Sequence, residues 1–179
     1  MQARINEYFD YLGSLPLRTE TGMGLHEAFR KAIDMFQNAG RVYFIGNGGS
    51  MATSMHMAED YTKIGGIPSQ AFSDAALLTC FANDYGYEHA LAKAVQFFSV
   101  PGDILVAISS SGKSANIINA VNTARKYGCD VITFTGFDPG NPLRKLGDLN
   151  FYVPDGNYDH VENVHQSLLT AILRMMSDE

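Results

Sequence analysis

Two short segments of the chain carry what a phosphate monoester needs for binding. Gly46-Asn47-Gly48-Gly49-Ser50 places three glycines in four residues, after the apolar run Arg41-Val42-Tyr43-Phe44-Ile45 and before a helical pattern. Glycines let the backbone take positive φ values and come close to a ligand. The helix that follows offers unpaired N–H groups and a partial positive charge. A plain tight turn with Ser50 as N-cap is the other reading. A dinucleotide fingerprint is not, because its third glycine would fall at Met51. The second segment, Ser109-Ser110-Ser111-Gly112-Lys113-Ser114, sets four hydroxyls around one glycine, again between strand and helix patterns. Those hydroxyls can donate to phosphate oxygens beside a helix N-terminus. The segment falls one glycine short of a nucleotide P-loop, since Ala107 stands in the first glycine's place within the apolar run.

Proton chemistry has candidates too. His56 and Asp60 lie four apart on the helix after the first loop, about 40° around its axis and on one face. A histidine and a carboxylate so placed can share a zinc ion, or simply form a surface pair.

These loops need strands and helices to hold them. Apolar runs at 41–45, 103–108, 130–134 and 149–153 read as strands. Helical spacing separates them at about 50–63, 87–98, 114–127 and 158–176, and precedes them at 25–38, with Gly40 as a stop. Buried strands alternating with helices predict a doubly wound α/β domain, a parallel sheet covered on both faces. It spans residues 1–179, with an N-terminal helical segment over about 1–38. In such sheets ligands bind at the carboxyl ends of the strands, where both loops stand.

Composition narrows the function classes. Thirteen Lys and Arg against nineteen Asp and Glu give a net charge of −6, which argues against tracking nucleic-acid phosphates. Cys80 and Cys129 make neither a disulfide scaffold nor a metal pair. No apolar run approaches a membrane span, and the first residues lack a signal peptide's apolar core. The expectation is a cytoplasmic protein with no membrane and no nucleic-acid partner.

Taken together, three motifs resemble the sugar isomerase (SIS) domain family, and within it the phosphoheptose isomerases. They are Gly46-Asn47-Gly48-Gly49-Ser50 continuing to His56-Met57-Ala58-Glu59-Asp60, then Ala82-Asn83-Asp84-Tyr85-Gly86, then Ser109 to Asn116. The resemblance implies a three-layer fold with a five-stranded parallel sheet, a homotetramer with shared active sites, and zinc. It implies conversion of sedoheptulose 7-phosphate to a heptose 7-phosphate through an enediol. By position, Asn47, Gly48, Gly49 and Ser50 would line the sugar-phosphate site. Ser109, Ser110, Ser111 and Ser114 would hold the phosphate, and Asn83 with Asp84 would contact the sugar. His56, Asp60 and Glu162 would hold the metal, with Glu162 reaching across from a neighbouring subunit. Asp60, Glu162 and His165 would carry the proton transfers. The family has glutamate where this chain has Asp60, and a second histidine where it has Thr170. Two other readings therefore accompany the isomerase: a non-catalytic phosphosugar-binding or regulatory protein that acts on a partner, and an isomerase of another sugar phosphate.

Overall fold

A computed structural model describes residues 2–15, 17–19 and 22–177. In chain order the elements are α1 (Gln2–Ser14), β1 (Arg18–Thr19), α2 (Leu25–Gln37), β2 (Val42–Ile45), α3 (Gly49–Lys63), β3 (Ser69–Ala71) and α4 (Ala75–Tyr85). There follow α5 (Tyr87–Phe98), β4 (Ile104–Ser109), α6 (Ala115–Lys126), β5 (Asp130–Gly136), a 3-10 turn (Pro142–Lys145), β6 (Leu149–Val153) and α7 (Tyr158–Ser177). The four apolar runs become β2, β4, β5 and β6, buried along nearly their whole length.

The strands lie in the order β1-β6-β5-β4-β2-β3, all parallel except β1, which runs antiparallel to β6. The expected five parallel strands are present, and β1 adds a sixth at the edge. That short strand also splits the expected N-terminal helical segment into α1 and α2. The chain moves from β2 outward to β3, then back across β2 to β4. The order therefore reverses between β2 and β4, and a crevice opens there beyond the strand ends. Register pairs Val42 with Ile104 and Ile45 with Ala107, so the two loops leave the sheet side by side.

Each face of the sheet has its own core. Phe36, Phe44, Tyr61, Phe134, Phe151 and Leu169 pack under α2, α3 and α7 on one side. Tyr43, Leu105, Val121 and Val131 pack with α5 and α6 on the other. The Phe134 and Phe151 rings stack at 5.0 Å. The buried Tyr61 hydroxyl donates to the Leu169 carbonyl at 3.1 Å, tying α3 to α7. Two helices that bear site residues are thus pinned to one another. The helix α1 docks through Tyr11, whose hydroxyl donates to Asp155 Oδ2 at 2.8 Å. No helix among the described residues is long and apolar enough to cross a membrane.

Truncating Phe134 to alanine leaves a cavity where β5, β6 and α7 meet. Urea unfolding should show a loss of about 3–5 kcal/mol; a loss under 1 kcal/mol would contradict this packing.

Candidate active site

The first loop turns at Gly48, whose φ of +54° is left-handed and suits glycine. Gly48, not Ser50, is the N-cap of α3, and it makes no side-chain cap. Ser50 lies buried in the first turn, its N–H donating to the Asn47 carbonyl at 3.1 Å. The third glycine has a different reason. A Cβ at Gly49 would collide with the Glu162 carboxylate, which lies against the first turn of α3 from α7. Burial raises the Glu162 carboxyl above its ordinary value, while the Ser50 N–H facing it pulls the other way. A carboxylate thus already sits where a helix N-terminus would take an anion.

The second loop is braced from the segment after β5. Gly112 has φ +61°, and a Cβ there would collide with Asn141. The Leu143 N–H donates to the Gly112 carbonyl at 3.2 Å, and Asn141 Nδ2 donates to the Asp138 carbonyl at 2.8 Å. Ser109 Oγ accepts from the Gly112 N–H and Ser111 Oγ from the Lys113 N–H, at 3.2 and 3.3 Å. Ser114 is the N-cap of α6, yet its hydroxyl makes no capping bond. Ser110 Oγ is buried without a protein partner. The loop therefore presents the half-buried Ser111 and Ser114 hydroxyls and a helix N-terminus with capacity to spare, while Ser109 and Ser110 are buried. Its one cation, Lys113, pairs with Asp138 at 2.9 Å and, with the Gly140 N–H, holds that carboxyl below its ordinary value.

The loops are joined to each other. Asn47 Nδ2 donates to Asn116 Oδ1 at 3.0 Å, and Asn116 Nδ2 donates back to Asn47 Oδ1 at 2.8 Å. The Tyr87 hydroxyl donates to the same Asn47 Oδ1 at 3.0 Å. Asn116 closes the third motif in the sequence, but neither it nor Tyr87 was an expected site residue. The only signal for Asn116 was its place in the first turn after the serine loop.

Other expected residues lie apart from the loops. His56 Nε2 faces Asp60 Oδ2 at 3.3 Å, as their spacing predicts, and Gln166 Nε2 donates to His56 Nδ1 at 2.9 Å. Asp60 stands eleven residues past Gly49 on α3, about 16 Å along the helix. It cannot share a substrate carbon with the first loop of its own chain. Glu162 lies at Gly49 and is not joined to the His56–Asp60 pair. Thr170 bonds the Met57 sulfur at 3.8 Å. Asn83 and Asp84 are exposed at the end of α4, bonded to each other at 2.9 Å. Among the described residues no three His, Cys, Asp or Glu side chains lie close enough to hold a metal ion. One chain supplies two zinc ligands, with Gln166 on the histidine's second nitrogen, so its residues alone do not fit the ion.

His165 is not at the crevice either. It is fully buried under the sheet, its Nε2 bonded to the Thr135 carbonyl at 3.1 Å. Burial lowers it from 6.5 to about 4, so it stays neutral near pH 7 and cannot serve as an acid in the crevice. The unfolded chain takes up a proton on this histidine below pH 6.5, which the folded chain does not accept until about pH 4. Its share of stability is intact above the higher value and is lost as the pH falls toward the lower one. Between about pH 7.5 and pH 5 that loss comes to about 2 kcal/mol. Urea unfolding of His165→Gln should lack this part of the pH dependence; an unchanged slope would contradict the assignment.

The SIS domain family matches residues 7–136. The phosphoheptose isomerase of Proteus mirabilis is 36% identical over 163 residues, 86% of this chain and 84% of that protein. That of Yersinia enterocolitica is 32% identical over 185 residues, covering 100% of this chain and 95% of the other. The phosphoheptose isomerase structure from Neisseria gonorrhoeae superposes with a TM-score of 0.82 at 29% identity, covering 98% of each chain. Its counterpart from Francisella tularensis gives 0.84 at 27% identity, covering 99% of this chain and 98% of that one. The chain belongs to the SIS domain family and, within it, to the phosphoheptose isomerases.

Proposed function

We propose that the protein interconverts sedoheptulose 7-phosphate and a heptose 7-phosphate through an enediol, as a cytoplasmic homo-oligomer of the tetrameric kind. The observation that carries this is the division of labour across the β2–β4 crevice: a carboxylate stands on the glycine loop, and uncommitted hydroxyls stand on the serine loop. A phosphate dianion placed against Glu162 would meet like charge. The phosphate therefore belongs to Ser109, Ser110, Ser111 and Ser114, and the carbonyl end of the sugar to Gly48, Gly49 and Ser50.

At the carbonyl end two functions are needed. A base must take the proton from C1 of the ketose and return it to C2, and donors must stabilise charge on the carbonyl oxygen as the enediol forms. Glu162, its basicity raised by burial, is the base within reach of the glycine loop. The N–H groups at the start of α3 are the donors. The His56–Asp60 pair, too distant in its own chain, serves the crevice of a neighbouring subunit by moving the proton between the two sugar oxygens. Asn83 and Asp84, exposed on α4, would likewise meet a sugar held by another subunit. A zinc ion would need ligands from a second subunit beside His56 and Asp60, and no proton-transfer step is assigned to it. His165, in the core, positions α7 and with it Glu162.

Incubation with sedoheptulose 7-phosphate in D₂O, followed by proton NMR, should show new anomeric signals and deuterium beside the carbonyl. No exchange, with the sugar phosphate nevertheless bound, would favour the regulatory reading that Thr170 keeps open.

Glu162→Gln should cut turnover by about 10²–10⁴-fold. Gly49→Ala should displace the same carboxylate and approach that loss, with little change in melting temperature, since the group that must move is a side-chain end. Full activity in Glu162→Gln would transfer the carbon base to Asp60. Ser111→Ala should weaken binding of the sugar phosphate by about five- to tenfold; an unchanged dissociation constant would contradict the serine cradle.

A further inference from the structure

The joint between the two loops is polar. Asn47, Gly48, Tyr87 and Asn116 line an open cavity of about 130 Å³, with Met51 and Leu78 in its apolar wall. Three hydrogen bonds hold the joint at this cavity, through Asn47, Asn116 and Tyr87. Asn116 is only 4% exposed, whereas Tyr87 is 62% exposed and contributes its hydroxyl from the first residue of α5. The two donors, Asn116 Nδ2 and Tyr87 Oη, use both lone pairs of Asn47 Oδ1. One N–H of Asn47 remains, and the same bonds set its direction.

We propose that Tyr87 and Asn116 are positioning residues that fix the span between the glycine and serine loops, and so set the length of phosphosugar that the crevice accepts. This rests on the isomerase reading above, in which the loops hold opposite ends of one substrate. A ketose phosphate spans the crevice only if carbonyl and phosphate reach their loops together. Inorganic phosphate needs the serine loop alone. Loosening the joint must therefore weaken the seven-carbon substrate and leave phosphate untouched.

The test compares Tyr87→Phe with wild type, using sedoheptulose 7-phosphate, fructose 6-phosphate and inorganic phosphate as probes. Calorimetry should show sedoheptulose 7-phosphate binding about fivefold weaker, the worth of one neutral hydrogen bond. Phosphate binding should change less than about twofold and the melting temperature by less than about 2 °C. In turnover, the preference of kcat/KM for the seven-carbon over the six-carbon ketose should fall by a similar factor. A variant that binds both sugars as wild type does would overturn the proposal. So would an equal loss for sugar and phosphate together, which marks a general effect on the fold. Asn116→Ala should produce the larger loss of the same kind, and if it does not fold, Tyr87→Phe decides alone. A wild-type protein that turns over neither ketose refutes the isomerase reading, while the binding comparison still decides the role of Tyr87.

Discussion

The site depends on one feature of the sheet, the parallel pairing of β2 with β4 where the strand order reverses. Any other neighbour for β2 would send the glycine and serine loops to separate edges. With Ile45 beside Ala107, both loops leave the same edge and both feed a helix N-terminus into one crevice. The pairing rests on two apolar cores, one per face, and its consequence is electrostatic. Partial positive charges from α3 and α6 meet in a chain whose net charge is −6.

The glycine loop does not hold its charge free. Glu162 reaches from α7 to the first turn of α3, in space that any side chain at Gly49 would fill. This contact gives the two loops different chemistry although both are built as strand–turn–helix. One holds a carboxylate beside backbone N–H groups, the other a set of hydroxyls braced by Asn141. Tyr61 links α3 to α7, the helix receiving Glu162 and the helix carrying it. The reciprocal amide bonds of Asn47 and Asn116 then couple the two ends of the crevice.

Much of this was legible in the sequence, and the misses share a cause. The strands at 42–45, 104–109, 130–136 and 149–153 are apolar throughout, and the helices facing them have a clear buried stripe, so period and punctuation find them. The short edge strands β1 and β3 bury too little to leave a pattern. Helix α4 has apolar residues nearly all round and none of them buried, so no stripe marks it; only Asp74, which caps Leu77 at 2.8 Å, was a usable sign. Both loops were readable because their chemistry is local. The contacts of Glu162 with Gly49, Asn47 with Asn116 and Tyr87 with Asn47 join residues 40 to 113 positions apart, and no spacing rule contains them. Local spacing did place His56 beside Asp60. The rise of the same helix puts His56 about 10 Å and Asp60 about 16 Å from Gly49, but no spacing rule says which residues of another element the pair meets.

The most direct measurement is a crystal structure of the protein with sedoheptulose 7-phosphate bound. Phosphate oxygens should lie within hydrogen-bond distance, about 3 Å, of the Ser109–Ser114 hydroxyls and the α6 N-terminus. The carbonyl end should lie on Gly48–Ser50, with the Glu162 carboxylate facing C1 and C2. A phosphate seated on the glycine loop, or a sugar whose reacting carbons lie away from Glu162, would contradict this placement.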